Sequence, residues 1–223
     1  MKPIWKTALG VTAGLAMAGV AGCVVPCLQP LFEAKDAIFD PALLGSWRNA
    51  KDSNGETFTF TRNESKNEYR ILDHQADGRQ ATLTALLGKV GGRQYLCAAL
   101  DYDALPETGR WFAFPPHLLI FRVEQTTPEL KLTMLSFEAC KKLLKAKPDA
   151  TAHVMLKPTG EKEESAIPIL TGSTTELQRF IKENGDAANL FPADTTLTFT
   201  RLAKEKPAAA PAAKPPPAAG PGQ

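Results

Sequence analysis

The chain holds only three histidines and four cysteines in 223 residues, and neither type clusters as a ligand set. His74, His117 and His153 stand in separate segments, without the spacing that brings imidazoles onto one metal. No H-E-x-x-H, G-x-S-x-G or P-loop motif occurs, which leaves the zinc-protease, α/β-hydrolase and P-loop classes without their chemistry. We therefore expect a protein that is not an enzyme and takes no metal or cofactor. Charge of one sign is scarce as well: 26 Lys and Arg against 24 Asp and Glu leave a formal +2. A basic field for nucleic acid is missing, and so is an acidic one. Asp101, Asp103 and Glu107 stand close together in "ALDYDALPE". They lack the glycine and terminal bidentate acid of a calcium loop, so a solvated loop is the better reading.

Long apolar runs are also rare. An uncharged stretch from Thr7 to Gly22 follows Lys2 and Lys6, the pattern of a charged start and apolar centre in a signal peptide. It is short and interrupted by glycine, whereas a transmembrane helix needs about 20 apolar residues. The stretch ends Val20-Ala21-Gly22-Cys23, which resembles the lipobox of bacterial lipoproteins. That resemblance implies cleavage before Cys23, which becomes the new N-terminus and carries two or three acyl chains such as palmitate, and anchoring to a membrane of the cell envelope. Val24 in the next position implies the outer membrane, facing the periplasm. An ordinary secretory peptide or an uncleaved anchor is the alternative. A metal pair of Cys23 with Cys27 lacks accompanying ligands.

Cys27, Cys97 and Cys140 remain, an odd number for an oxidising compartment. Cys97 lies in the apolar run "YLCAAL" and Cys140 on the apolar side of a helix. Their simplest reading is as small core hydrophobes, with a Cys97–Cys140 bridge as the other option. From Lys204 the chain turns to "KEKPAAAPAAKPPPAAGPGQ", which offers no hydrophobic face. A disordered tail of polyproline-II character follows, about 3.1 Å per residue when extended. The organisation expected is a signal peptide over 1–22, a lipidated N-terminus and linker over 23–41, one domain over 42–203, and the Ala/Pro-rich tail over 204–223.

Within the domain the dominant period is two. "ETFTFTR" (56–62) and "TLTFTRL" (196–202) set apolar residues against threonines, the mark of half-buried strands. Further strands are expected over 67–73, 80–90, 93–100, 117–125 and 130–136, with turns at 76–78, 91–92 and 126–129. Short links of this kind join antiparallel neighbours into a meander. "TAHVMLK" and "AIPILTG" are weaker strand candidates because of Pro158 and Pro168. Helices are expected over 136–147, with Phe137, Cys140 and Leu144 on one face, and over 173–185. The second opens with Ser173 and Glu176 at capping-box spacing, and Leu177, Phe180 and Ile181 form its apolar stripe. The fold class is mainly β with two helices (α+β).

At the head of the meander stands "IFDPALLGSWRN" (38–49). Phe39, Asp40, Gly45 and Trp47 resemble the first-strand motif of lipocalins and the wider calycin group. The resemblance implies a β-barrel of about eight strands, closed at its base by Trp47 under a basic side chain from the last strand, here Arg201. The second family motif is not recognisable, and the helix at 173–185 precedes the last strand where the family places one after it. A lipobox followed by such a domain also looks like a class of bacterial envelope lipoproteins, which implies location and architecture. Inside a barrel, alternation makes Phe58, Phe60, Tyr69, Leu83 and Ile120 the lining of a site for a small apolar ligand, a lipid or fatty acid. The alternative is a solid barrel whose outer face or tail docks an envelope protein. Trp111, Phe112 and Phe114 in "TGRWFAFPPH" read as a hydrophobic cover over one barrel end, or as an apolar lid or membrane-dipping patch.

Overall fold

The computed structural model describes residues 24–51, 55–63, 67–101, 118–157, 160 and 165–203. Seven strands follow one another around a wall: β1 (Gly45–Asn49), β2 (Thr57–Asn63), β3 (Glu68–His74), β4 (Gln80–Val90), β5 (Arg93–Leu100), β6 (Leu119–Gln125) and β7 (Glu129–Met134). The last strand, β10 (Thr196–Arg201), inserts between β7 and β1, so that eight antiparallel strands close into a barrel. Closure leaves no unpaired edge. The fold is mainly β with two helices, consistent with a lipocalin-like architecture.

Between β7 and β10 the chain leaves the wall. Helix α1 (Phe137–Ala146), a two-stranded ribbon of β8 (His153–Leu156) and β9 (Ile167–Leu170), and helix α2 (Thr174–Asn184) occupy this excursion. The Ser136 hydroxyl caps α1 by accepting from Ala139 N–H. Ser173 and Glu176 form both halves of a capping box on α2, satisfying N–H groups that the first turn leaves without partners.

Two apolar cores result. One draws Trp47, Phe60, Tyr69, Ile71, Ala85, Leu87, Leu96, Ala98, Phe121, Leu130 and Phe199 from all eight barrel strands, and only the barrel interior can collect them. The other packs Cys140, Leu144, Leu177, Phe180 and Ile181 of the helices against Val90, Tyr95, Cys97 and Ile120 on the outer wall. β5 and β6 are therefore buried on both faces, which explains why "YLCAAL" and "LIF" run apolar without a break.

Of the segment expected as a linker over 23–41, the stretch from Val25 to Phe32 belongs to this outer layer. Val25, Cys27, Leu31 and Phe32 are buried. Cys27 exchanges backbone hydrogen bonds with Leu118 (3.2 and 3.0 Å), while Leu28 N–H donates to Leu170 O and Leu170 N–H to Pro26 O, both at 2.9 Å. The segment thus lies as a short strand between the entrance of β6 and the ribbon. Phe32 reaches a hollow that exists only because residue 88 is glycine; a Cβ there would collide with the Phe32 ring.

Candidate functional site, the two ends of the barrel

The two barrel ends are built differently. At one end the residues before β1 cross the opening. Asp40 caps a 3-10 turn, Pro41–Leu43, by accepting from Ala42 N–H, and Ile38 N–H donates to Leu87 O at 2.8 Å. Tyr69 reaches this segment from β3: its hydroxyl accepts from Asp40 N–H (2.7 Å) and donates to Asp40 O (3.0 Å). Phe39 stacks on Tyr69 with centroids 5.3 Å apart, and Arg62 lies 4.2 Å over the Phe39 ring.

Trp47 fills the base. It is fully buried, and its indole Nε1 donates to Leu43 O at 2.9 Å. Arg201, its Cα partner on β10, places its guanidinium 4.0 Å from the ring centroid. The same guanidinium donates through Nη1 to Leu44 O (2.6 Å) and through Nη2 to Ala42 O (2.5 Å). One side chain therefore stacks on the plug and ties down the segment that crosses it. Gly45 accommodates this with φ +117°; a Cβ would stand 2.8 Å from Arg201 Nη1.

The opposite end, where β1 and β3 finish and β2, β4 and β10 begin, is less filled. Phe58, Leu83 and Leu197 lie on the inner face yet are only partly buried, whereas Trp47, Tyr69, Leu87, Leu96 and Leu130 nearer the base are fully buried. Phe58 meets Phe199 edge to face at 5.4 Å.

Asp73 joins these apolar residues. Its Cα partners are Phe58 on β2 and Ala81 on β4, and the alternation that turns Tyr69 and Ile71 inward turns Asp73 inward as well. It is 8% exposed, and its Oδ1 has no hydrogen-bond partner among the described residues. Burial pushes its carboxyl above the ordinary carboxylate range, opposed by a hydrogen bond from the Gln75 side chain and by the neighbouring His74. Among the described strand residues of this half, no other charged side chain shares the inner face: Arg62 and Arg201 belong to the closed end.

The residues singled out from sequence separate accordingly. Phe58 and Leu83 lie in the open half; Phe60 and Tyr69 lie deep in the inner core, with the Tyr69 hydroxyl engaged by Asp40. Ile120 is a correction: its Cα partner is Cys97 and it belongs to the outer core, so it faces the helical cover. With Leu119, Ile120 and Phe121 all apolar, alternation had no phase to read. Asp73 was the residue missed, although its signal was present in "YRILD", where every second residue points the same way.

Cys27, Cys97 and Cys140 are free and buried in the outer core. Burial pushes Cys97 to about 11 and Cys140 to about 12, and raises Cys27 with contributions from the other two. Thiols held this far from their thiolates are poor nucleophiles. His153 Nδ1 lies 3.0 Å from Thr151 O. Among the described residues no group of His, Cys, Asp and Glu is placed to hold a metal ion, and no helix is long and apolar enough to cross a membrane. Cys23, Asp103, Glu107, Trp111, Phe112, Phe114, His117 and the tail lie outside the described residues. No family model matches the chain, and no curated protein or solved structure shows significant similarity to it.

Proposed function

We propose that the chain is a non-enzymatic bacterial envelope lipoprotein, held to the outer membrane by lipid on Cys23, whose barrel takes a small apolar molecule through its open end. The observation that carries the ligand reading is the contrast along the inner wall. Three apolar side chains of the inner face at the less filled end, Phe58, Leu83 and Leu197, remain partly accessible, while Trp47, Tyr69, Leu87, Leu96 and Leu130 nearer the base are fully buried. Partition of an apolar body against them needs no reaction; each CH2 removed from water contributes about 0.8 kcal/mol.

The anchor reading rests on the lipobox resemblance, and the docked segment gives it a geometric consequence. Because Cys27 is pinned between β6 and β9, at most four residue steps, about 14 Å, separate the barrel from an acylated Cys23. The ribbon that flanks Cys27 also exposes Val154 (52%) and Leu156 (51%), aliphatic side chains suited to a lipid surface.

Native mass spectrometry of the mature protein, extracted gently from envelope membranes, tests both parts. An acyl adduct on the peptide beginning at Cys23, with a co-purifying mass released by denaturation, is the expected result. An unmodified Cys23 removes the anchor. A bare polypeptide mass that stays bare after incubation with apolar ligands removes the carrier function and favours a solid-core protein that docks partners.

A further inference from the structure

We propose that the ligand carries a hydrogen-bond-donating cationic head, of the alkylamine class, on its apolar body, and that Asp73 receives that head inside the barrel mouth. This deepens the ligand reading above and rests on it. Three observations point to this class. First, Asp73 stands on the inner wall between Phe58 and Ala81, so a molecule lying along Phe58 and Leu83 has its polar end in reach of the carboxyl.

Second, the carboxyl is built as a half-occupied acceptor. The Gln75 side chain supplies one hydrogen bond, while Oδ1 is buried and has none among the described residues. A buried acceptor without a donor is costly, and a ligand N–H placed there offsets that cost. An ammonium adds charge pairing in a poorly solvated site, where such hydrogen bonds are stronger than neutral ones.

Third, among the described residues of the open half the inner wall offers no basic side chain to an anion. Its two basic side chains are committed at the closed end, Arg62 over Phe39 and Arg201 on Trp47 and the carbonyls of Ala42 and Leu44. A fatty-acid carboxylate entering the mouth would set a second acceptor-only group beside Asp73, with no cation among the described residues of that face to separate them. The fatty-acid cargo suggested by sequence is therefore the disfavoured class.

The test uses the mature polypeptide, residues 23–223, with Cys23→Ser to leave off the lipid. Dodecylamine, dodecanol and dodecanoate, each below its micelle concentration, compete at pH 7 for a bound fluorescent apolar probe, N-phenyl-1-naphthylamine. The expected order is amine, then alcohol, then acid, with the amine favoured over the acid by about tenfold or more. Asp73→Asn should remove most of that preference while leaving dodecanol nearly unchanged. Equal affinity for amine and acid, or amine binding indifferent to Asp73→Asn, overturns the role of Asp73 and leaves the apolar site standing. Failure of the probe and of all three chains to bind overturns the ligand reading as well. The wild-type ranking is informative by itself, so the test does not depend on the folding of the variant.

Discussion

Asp73 and Arg201 stand at opposite ends of the same barrel, and their charges have opposite effects on stability. Because burial raises the folded-state value of Asp73 above its unfolded value of about 4, the folded chain holds that proton more tightly. Its contribution to stability is complete below about pH 4 and is lost as the pH rises through the raised folded-state value. Asp73→Asn removes the ionised form, so its melting temperature should exceed that of the wild type at pH 7, and the gap should close below about pH 4. A thermal melt series across that range checks this. Arg201 stabilises instead, by a stacked guanidinium and two carbonyl hydrogen bonds. Arg201→Lys keeps the charge but loses the planar fork, and should cost about 1–2 kcal/mol in urea denaturation. Trp47→Ala empties the base and should cost about 3–5 kcal/mol. The three buried thiols should react with Ellman's reagent only as fast as the outer core opens; rapid reaction in the native state would show that Cys27, Cys97 and Cys140 are not packed as described.

At the scale of elements, the outer layer depends on small details that composition does not advertise. Gly88 makes room for Phe32, so Gly88→Ala should cost about 1–3 kcal/mol. The loss should shrink in the double variant with Phe32→Ala, because the two changes act on one contact; a double-mutant cycle by chemical denaturation measures the coupling. The barrel strands themselves were legible in sequence wherever threonine alternates with an apolar residue, as in β2 and β10, because one face of each meets water. The start of the second helix was legible from the Ser173 and Glu176 pair, whose chemistry is local. Legibility failed where strands are covered on both sides: nothing in "LLIFRV" says which of Ile120 and Phe121 faces inward, since both are buried. It failed again over 24–41, which read as a linker. Its apolar residues, Val25, Leu31 and Phe32, find their partners only in strands and helices far along the chain. Asp73 shows the converse case, in which the alternation was plain but a carboxylate did not suggest an interior position.

At the scale of the whole molecule, the barrel has a latched base, one covered flank and, among the described residues, a less filled end where one acid stands among apolar side chains. If Cys23 carries lipid, the docked segment holds the covered flank near the bilayer. A fluorophore attached at Val154→Cys should then be quenched by doxyl lipids in phosphatidylethanolamine and phosphatidylglycerol vesicles several times more strongly than one at Arg79→Cys in the β3–β4 turn. Equal quenching at the two positions would place the ribbon away from the membrane. The central claim concerns the interior, and the most direct measurement fills it. Leu83→Trp adds bulk to the partly accessible inner wall of the open half, away from the latched base. Titration of N-phenyl-1-naphthylamine into the wild type should give saturable one-to-one binding, and the same titration into Leu83→Trp should lose most of it at an unchanged melting temperature. Binding that survives Leu83→Trp undiminished, or that is missing from the wild type, would contradict a ligand site in the barrel.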